Sequence, residues 1–313
     1  NQNLMPKPWT GKGNPYTREE VRARLQATLD QGKAIIAAGA GTGISAKFIE
    51  KGGADLIIIY NSGRFRMMGH GSTAGMMAYG DANAIAMEIG EFEVLPVVEE
   101  VPVICGVHAT DPRRRMWHWL GKVKEMGFSG VNNFPTHTIV DGHFRGVLEE
   151  TGMSVRKEYE MVALARKMDL FSIVYVGSPE EAVEMAKAGA DAIIAHVGTT
   201  VGGSIGVKNA LVSWDHTIQT TQAIIDEAVS RDIPWIRLDR HSLVQLGQGV
   251  HQQRIRATMT SRTSSIAVDI ASGGVPGLRS TELSFSSTIW GRFSSASRSA
   301  AIAFSISQQF SDE

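Results

Sequence analysis

Short apolar runs alternate with amphipathic stretches along most of this chain. Apolar runs that end at glycine or proline are typical of parallel strands buried on both faces. They predict strands at 33–38, 55–60, 101–107, 129–135, 170–176 and 191–195, with 233–238 as the candidate for a seventh. Helical spacing predicts helices at 17–31, 44–51, 81–90, 113–126, 155–168, 179–188 and 214–230. Polar loops are predicted at 61–71 and 137–150.

Alternating strands and helices leave two architectures open, a (β/α)8 barrel and an open doubly wound sheet. Glycine or polar residues follow strands one, two, three, four and six. A ring of such loops on one face is what a barrel makes, whereas an open sheet concentrates them at one switch point. We therefore predict an α/β fold, a (β/α)8 TIM barrel at 17–239, with an extra N-terminal helix that opens on the capping box Thr17–Glu20.

The two ends of the chain differ from this pattern. Residues 1–16 are polar and proline-containing, which predicts an irregular lead-in. Residues 240–313 hold most of the serines and none of the lysines, and strand and helix periods are hard to find there. The weak candidates for an eighth strand are 266–270 and 299–304. The C-terminal quarter is thus atypical and, on one interpretation, incomplete: either an unusual closing segment or a poorly ordered one.

Composition excludes several classes of partner. With 313 residues and 43% hydrophobic content, the chain can bury a sizeable core. The 31 basic and 32 acidic side chains nearly cancel, so no overall field argues for nucleic acid or a membrane surface. No apolar run suits a membrane span or a secretion signal, which predicts a cytoplasmic protein. Cys105 lies in an apolar run and is interpreted as an inert core thiol rather than a nucleophile.

Candidate anion-binding residues follow strands one, two and six. Glycine-rich turns can offer backbone N–H groups to a phosphate or carboxylate, and hydroxyl and guanidinium groups can add contacts. Each feature also has a structural interpretation, because glycine turns and surface arginines are common. The candidates for substrate binding are Gly41, Thr42, Ser45, Asn61, Arg64, Arg66, Gly198, Thr199 and Thr200.

Candidate proton-transfer groups and amides also sit at strand ends. His108 and His196 are candidates for acid or base work, although a lone histidine is more often a structural hydrogen bonder. Asp111 precedes a proline, so it either starts a helix or serves as a base or metal ligand. Glu149 is followed by Glu150. For each of them taken alone, a solvated surface position is favoured over a role in a site. The amides of Asn132 and Asn133, poor strand formers beside Pro135, make sense if they face a ligand.

Several segments together resemble a known family. Gly41–Asp55, Gly130–Thr136, Leu148–Met153 and Ala188–Thr200 are similar to the TIM-barrel phosphoenolpyruvate hydrolase-like family, whose barrel also occurs in plant tobamovirus-resistance proteins. The resemblance covers about 17–231. The first unit also resembles the phosphoenolpyruvate mutase and isocitrate lyase superfamily, whose members bind small 2-oxo acids with Mg2+. The resemblance implies a small anionic substrate and a role for Mg2+, with no organic cofactor.

The chain departs from this resemblance in two places. It has Gly-Val-His-Ala-Thr-Asp where the superfamily carries paired aspartates after strand three. It also lacks the His-Gly-Gly-Pro turn and the Gly-Ala-Ser-Ser-Met-Glu-Arg segment that family members carry after strands seven and eight. We interpret the second departure as a change of reading frame or splicing near Ile233.

Two functions are carried forward from the sequence. The first is an enzyme with lyase or hydrolase chemistry on a phosphorylated or carboxylated 2-oxo acid, with His108, Asp111, Glu149 or His196 moving protons. The second is a module that binds a small ligand or a partner without turnover. Exposed helices and open barrel ends predict a homo-oligomer in either case.

Overall fold

One parallel sheet organises the protein, as a computed structural model of the chain shows. The structure describes residues 15–31, 33, 35–196, 198, 206–208, 213–230, 245–246, 253–256, 259–260 and 301–305. Six strands come in sequence: β1 (Ala37–Ala40), β2 (Leu56–Ile59), β3 (Val103–Gly106), β4 (Gly130–Asn132), β5 (Phe171–Val176) and β6 (Ala192–His196). The short strands β7 (Gln245–Leu246), β8 (Gln253–Arg256) and β9 (Met259–Thr260) form a separate antiparallel sheet, and β10 (Ala301–Ser305) pairs with β6.

The order of the strands distinguishes between the two predicted architectures. Neighbours run β1-β2-β3-β4-β5-β6-β10, and every pair is parallel. A doubly wound sheet reverses its strand order at a switch point, whereas a barrel adds each strand beside the one before. No reversal occurs among β1 to β6. The prediction of a TIM-barrel fold is therefore confirmed over the six units that the structure describes.

One helix precedes the first strand, and the others follow strands along the chain. They are α1 (Arg18–Asp30), α2 (Gly43–Lys51), α3 (Asn61–Met67), α4 (Ala82–Ile89), α5 (Met116–Met126), α6 (Gly142–Glu150), α7 (Arg156–Lys167), α8 (Pro179–Ala188) and α9 (Trp214–Ser230). Short 3-10 turns occupy Ser72–Met76 and His137–Ile139, and a π-helical turn occupies Gly90–Val94. Among the described helices, none combines the length and apolar content of a membrane span.

Two apolar cores show which way the strand residues face. The outer core holds residues such as Ile57, Cys105 and Val174, packed under the helices. The inner core holds the alternate positions, including Ile58, Ile104 and Ile173, together with α1. Side chains of a strand point alternately to opposite faces, so the inner set lines the barrel interior and α1 packs against it.

The first helix and the single cysteine behave as predicted. Thr17 caps α1, its side chain accepting from the Glu20 N–H while Glu20 bonds back to the Thr17 N–H. Val21, Leu25 and Leu29 are the buried stripe of the helix. Cys105 is fully buried in the outer core, and this burial raises the pKa of its thiol far above the ordinary value. An unionised, inaccessible thiol is a poor nucleophile.

Some predicted elements differ from the observed ones. The segments 61–71 and 137–150, predicted as loops, contain α3 and α6. The first strand lies at Ala37–Ala40 rather than 33–38, and His196 is the last residue of β6 rather than a residue beyond it. The segment 299–304 overlaps β10, which lies beside β6. Predicted strands at 233–238 and 266–270 fall outside the described residues, as do most of the lead-in 1–16 and of 240–313.

Candidate active site at the barrel mouth

A row of aromatic rings crosses the carboxyl ends of the strands, which we call the mouth. Tyr60 follows β2 and its ring centroid lies 4.8 Å from that of Phe134, just after β4. Phe134 meets Tyr175 of β5 edge-on at 6.3 Å, and Tyr175 meets His196 of β6 edge-on at 4.9 Å. Edge-to-face pairs at these separations are favourable. The ends of β2, β4, β5 and β6 therefore converge on one interior region.

Glycines on the neighbouring strands make room for Tyr60. A Cβ atom at Gly106 would lie 2.5 Å from the Tyr60 Cβ, and one at Gly39 would lie 3.1 Å from the Tyr60 hydroxyl. Because Tyr60 lies over both β1 and β3, neither Gly39 nor Gly106 can take a side chain unless Tyr60 moves. A hydrogen bond also joins the Tyr60 and Tyr175 side chains, and together with burial it raises the pKa of Tyr175 well above its ordinary value.

The two arginines of α3 have different surroundings. Arg64 pairs with Glu93 at 2.7 Å and with Glu88 at 3.5 Å, so its charge is already neutralised. Arg66 has no ion-pair partner within the described part of the chain, and its charge acts on the buried phenol of Tyr175, lowering that pKa. Of the two predicted anion-binding arginines, only Arg66 keeps a charge free beside the row of rings.

The turn after β1 does not present the free N–H groups that the sequence suggested. Thr42 and Ser45 form a reciprocal capping box at the start of α2. The Ser45 hydroxyl accepts from the N–H groups of Gly41 (3.3 Å) and Thr42 (3.2 Å), and the Gly43 N–H donates to Glu93 (3.3 Å). A Cβ at Gly41 would lie 2.2 Å from the Gly63 carbonyl oxygen. The glycine here serves close backbone packing, which argues against an anion cradle, and the assignment of Gly41, Thr42 and Ser45 to substrate binding stays a prediction.

Asp111 belongs to an ion-pair cluster between α4 and α5. Its carboxylate accepts from Arg113 (3.1 Å), Arg114 and Asn83, and Asp81 shares both arginines. Burial opposes ionisation of Asp111, but these hydrogen bonds outweigh it and hold its pKa well below the usual range. A carboxylate held in this way is a weak base, which argues against Asp111 as a proton acceptor, and its assignment as a catalytic residue stays a prediction.

The two candidate histidines are both neutral near pH 7. Burial lowers the pKa of His108, with Asp111 acting in the opposite direction and His137 in the same one. Burial also lowers the pKa of His196 to about 4. His196 Nδ1 accepts a weak hydrogen bond from the Gly198 N–H at 3.4 Å. Neutral imidazoles can accept a proton, so both histidines stay candidates. The predicted substrate-binding residues Thr199 and Thr200 lie outside the described residues.

The asparagine pair divides into two roles. Asn133 is fully buried and spans to β5, where Oδ1 accepts from the Tyr175 N–H (2.7 Å) and Nδ2 donates to the Tyr175 carbonyl (3.1 Å). Its amide is bonded inside the protein, which argues against a contact with a ligand, and its assignment as a substrate-binding residue stays a prediction. Asn132 donates to the Ile173 carbonyl at 2.8 Å, and its buried Oδ1 has no partner among the described residues.

Glu149 and Asn61 also bond to nearby parts of the chain. Glu149 accepts from Arg145 (2.7 Å) and from the Val155 N–H (3.2 Å), and these bonds outweigh burial and lower its pKa. Glu149 therefore ties α6 to α7, which argues against a role as acid or base, and its assignment as a catalytic residue stays a prediction. Asn61 is buried and donates to the Gly75 carbonyl at 2.8 Å, which anchors the turn at Ser72–Met76.

Sequence reasoning missed a buried carboxylate, Glu158, in the first turn of α7. Glu158 has no exposed surface, and it accepts from the His137 N–H (2.7 Å), the Thr136 hydroxyl (2.9 Å) and Asn133 Nδ2. Its second contact with His137 is to ring atom Nδ1, at 3.3 Å. The nearest sequence signal was a single acidic residue on an amphipathic helix, which is ordinary on a surface. Its partners lie more than twenty residues earlier, and only the fold joins them.

The described residues offer no ready metal site. Among them, no three His, Cys, Asp or Glu side chains group so as to hold an ion. Asp111, the suggested ligand, has its oxygens occupied by arginine and asparagine donors. Mg2+ requires carboxylate oxygens free for coordination. The donor set in this part of the chain does not fit Mg2+, and the chemistry proposed for the domain involves no metal ion.

The fold and the convergent strand ends define a TIM-barrel domain, and comparison with known proteins gives its family. Residues 20–240 match the model of the phosphoenolpyruvate hydrolase-like family. The chain therefore belongs to that family, as the resemblance of its motifs predicted.

Two relatives match about two thirds of this chain. The tomato (Solanum lycopersicum) ToMV resistance protein Tm-1(GCR237) is 54% identical over 209 residues, which cover 67% of this chain and 28% of the tomato protein. A putative transcriptional regulatory protein, y4pA, of Sinorhizobium fredii is 36% identical over 197 residues, covering 63% of this chain and 32% of that protein. The chain thus spans about a third or less of these relatives.

Two solved structures are similar at lower identity. A phosphonopyruvate hydrolase in complex with oxalate and Mg2+ has 16% identity and a TM-score of 0.39, covering 67% of this chain and 68% of that one. An oxaloacetate acetylhydrolase has 13% identity and a TM-score of 0.45, covering 67% and 69%.

Proposed function

We propose that this domain binds a small carboxylated or phosphorylated 2-oxo acid at the mouth and transforms it by lyase or hydrolase chemistry. One observation carries the proposal: Arg66 of α3 has no ion-pair partner within the described part of the chain, and its charge acts on the buried phenol of Tyr175 in the row of rings. A guanidinium next to phenol donors is suited to a carboxylate or phosphate and is more effective where water is scarce. Membership of the phosphoenolpyruvate hydrolase-like family supports the same class of ligand.

The remaining mouth residues would orient the bound acid. Neutral His108 and His196 are available to accept protons, and the buried Oδ1 of Asn132 can accept a hydrogen bond from a ligand or a water. The row of rings excludes water from beneath the ligand, which strengthens each charged contact.

Binding without turnover is the second candidate, and a specific observation favours it. Asp111 and Glu149 are both held by arginines, which leaves fewer carboxylates for proton transfer than the sequence suggested. A chain that spans 28% of its tomato relative can also act as one part of a larger activity.

Substitution of Arg66 tests the anion site. We expect Arg66→Met to weaken binding of phosphoenolpyruvate, phosphonopyruvate or oxaloacetate by about 10- to 100-fold, because one charged hydrogen-bonding group is lost. Isothermal titration calorimetry, with Mg2+ and separately with EDTA, measures the dissociation constant. Arg156→Met is the matched control, since Arg156 is exposed and pairs only with Glu160.

Product analysis of the same samples separates the two candidates. Release of pyruvate, phosphate or another fragment supports an enzyme, whereas heat of binding with no product supports the module. Equal affinities of the wild type and Arg66→Met for every acid would contradict the placement of the anion at Arg66.

A further inference from the structure

Glu158 and His137 form a buried carboxylate and imidazole pair at the mouth. Glu158 is 0% exposed and His137 is 5% exposed. The Glu158 oxygen that accepts the His137 N–H at 2.7 Å also lies 3.3 Å from ring atom Nδ1. A buried carboxylate beside Nδ1 selects the tautomer with its proton on that nitrogen, which leaves the lone pair on Nε2. The described residues form no hydrogen bond to Nε2.

The pair is held by secondary structure instead of by a loop alone. The second carboxylate oxygen of Glu158 accepts from Thr136 and Asn133, and Asn133 is bonded in turn to both backbone groups of Tyr175 on β5. Arg145 of α6 donates to the His137 carbonyl oxygen. Residues from β4, β5, α6 and α7 thus fix one imidazole. Groups whose orientation is determined by several rigid elements are well suited to catalysis.

The position of His137 brings it to the region of the proposed ligand. His137 lies three residues after Phe134, whose ring belongs to the row at the mouth, and both follow β4. The backbone of Tyr175, to which the pair is tied, carries the ring that contacts Phe134 and His196. The imidazole therefore stands among the strand ends that converge on the mouth.

From this geometry we infer that His137 is the proton-transfer residue of the domain and that Glu158 is its positioning residue. The inference rests on the proposed function, since it needs an acid bound at the mouth. Nε2 takes a proton from the bound acid or from an attacking water, and the ring becomes an imidazolium. The Glu158 carboxylate offsets that charge, and the same proton returns to the departing fragment. The cycle needs no other reactant.

Kinetics of three variants test the roles. We expect His137→Gln to lower kcat by about 10²- to 10⁴-fold, with KM nearly unchanged, because general base catalysis is lost while anion binding at Arg66 remains. His118→Gln, which removes an exposed histidine of α5, is the matched control. Glu158→Gln is expected to lower kcat less than His137→Gln does and to leave KM nearly unchanged, because the imidazole remains but loses the carboxylate that orients it.

Two candidate histidines follow neighbouring strands, His108 after β3 and His137 after β4. A loss of kcat in His108→Gln as large as that expected for His137→Gln, with no loss in Glu158→Gln, would assign the proton transfer to His108 and overturn the inference. Full activity of His137→Gln would overturn it as well.

Nitrogen-15 NMR of the His137 imidazole tests the pair with Glu158 without requiring turnover. Because it uses the wild-type protein, it also serves if Glu158→Gln fails to fold. In the wild type we expect the Nδ1–H tautomer at pH 7 and a shift of the Nε2 resonance on saturation with phosphoenolpyruvate. An Nε2–H tautomer, or an Nε2 signal unmoved by a ligand whose binding Arg66→Met weakens, would overturn the inference while leaving the proposed function intact. If no acid binds to the wild type, the proposed function fails and the inference is overturned with it.

Discussion

Individual polar residues at the strand ends separate into those used inside the fold and those left for a ligand. Asn132 and Asn133 adjoin in sequence and are both fully buried. Among the described residues, the Asn132 side chain makes a single hydrogen bond, whereas the Asn133 side chain makes several, including one to a buried carboxylate. Sequence cannot make this distinction, because it depends on what the neighbouring strand and helix offer. Residue type predicted the place of the site, whereas hydrogen-bond partners decide which residues can serve it.

The asparagine pair gives a matched stability test. We expect Asn133→Ala to lower the free energy of unfolding by about 3–5 kcal/mol, because it leaves the buried Glu158 charge and the Tyr175 backbone groups short of partners. Asn132→Ala removes one hydrogen bond and is expected to cost about 1–2 kcal/mol. Urea unfolding followed by circular dichroism measures both. Equal losses in the two variants would mean that the Asn133 network contributes little.

Whole elements were predictable where their end signals are strong. α8 and α9 have the predicted bounds, and α8 begins with Ser178 capping and Pro179 at its first position and ends at a left-handed Gly189. The sequence predicts loops where α3 and α6 lie, because glycines interrupt the helical pattern. They are Gly63 in α3 and Gly142 and Gly146 in α6. Packing against neighbouring elements stabilises such helices despite their weak intrinsic propensity.

Between α4 and α5, the ion-pair cluster predicts a pH dependence of stability. Asp81 caps α4 and pairs with Arg114 at 2.6 Å, and Asp111 accepts from Arg113 and Arg114. Despite opposing burial, hydrogen bonds lower the pKa of both carboxyl groups. A carboxyl group whose folded-state pKa is lowered contributes stability above its unfolded-state pKa of about 4, and this contribution is lost as the pH falls below it.

The variant Asp111→Asn measures that contribution. We expect it to lower the free energy of unfolding at pH 7 and to have a smaller effect near pH 3, because the carboxyl group of the unfolded wild type then gains its proton while the folded one keeps its charge. Guanidinium unfolding at a series of pH values gives the comparison. Glu160→Gln, at an exposed ion pair, is the control and should show little dependence on pH. A penalty for Asp111→Asn that is constant with pH would exclude ionisation as its cause.

At the scale of the whole molecule, the six described units account for the match to the family, and the region after them does not follow the family's motifs. The resemblance covers residues 17–231 and the family model covers 20–240. The barrel was predictable because each unit repeats the same buried run, turn and amphipathic helix. The closing part was not predictable, because the serine-rich stretch from 240 onward offers no comparable period.

Peptide mass spectrometry of protein from its natural source tests the interpretation of this stretch. If the reading frame or splicing changes near Ile233, tryptic peptides from residues 18–230 should be found and peptides from 240–313 should be absent. Arginines between 254 and 298 give suitable cleavage sites, so the two regions can be compared in one digest. Detection of the C-terminal peptides at similar abundance would contradict the interpretation.

The glycines on either side of Tyr60 have a consequence for molecular size. With Gly39 and Gly106 beneath it, the tyrosine spreads over three strands and joins the other rings in a continuous floor. The room left by these two glycines therefore sets where the tyrosine can lie. Shortening the Tyr60 side chain would remove its ring from the row and would change the space open to any ligand of the proposed site.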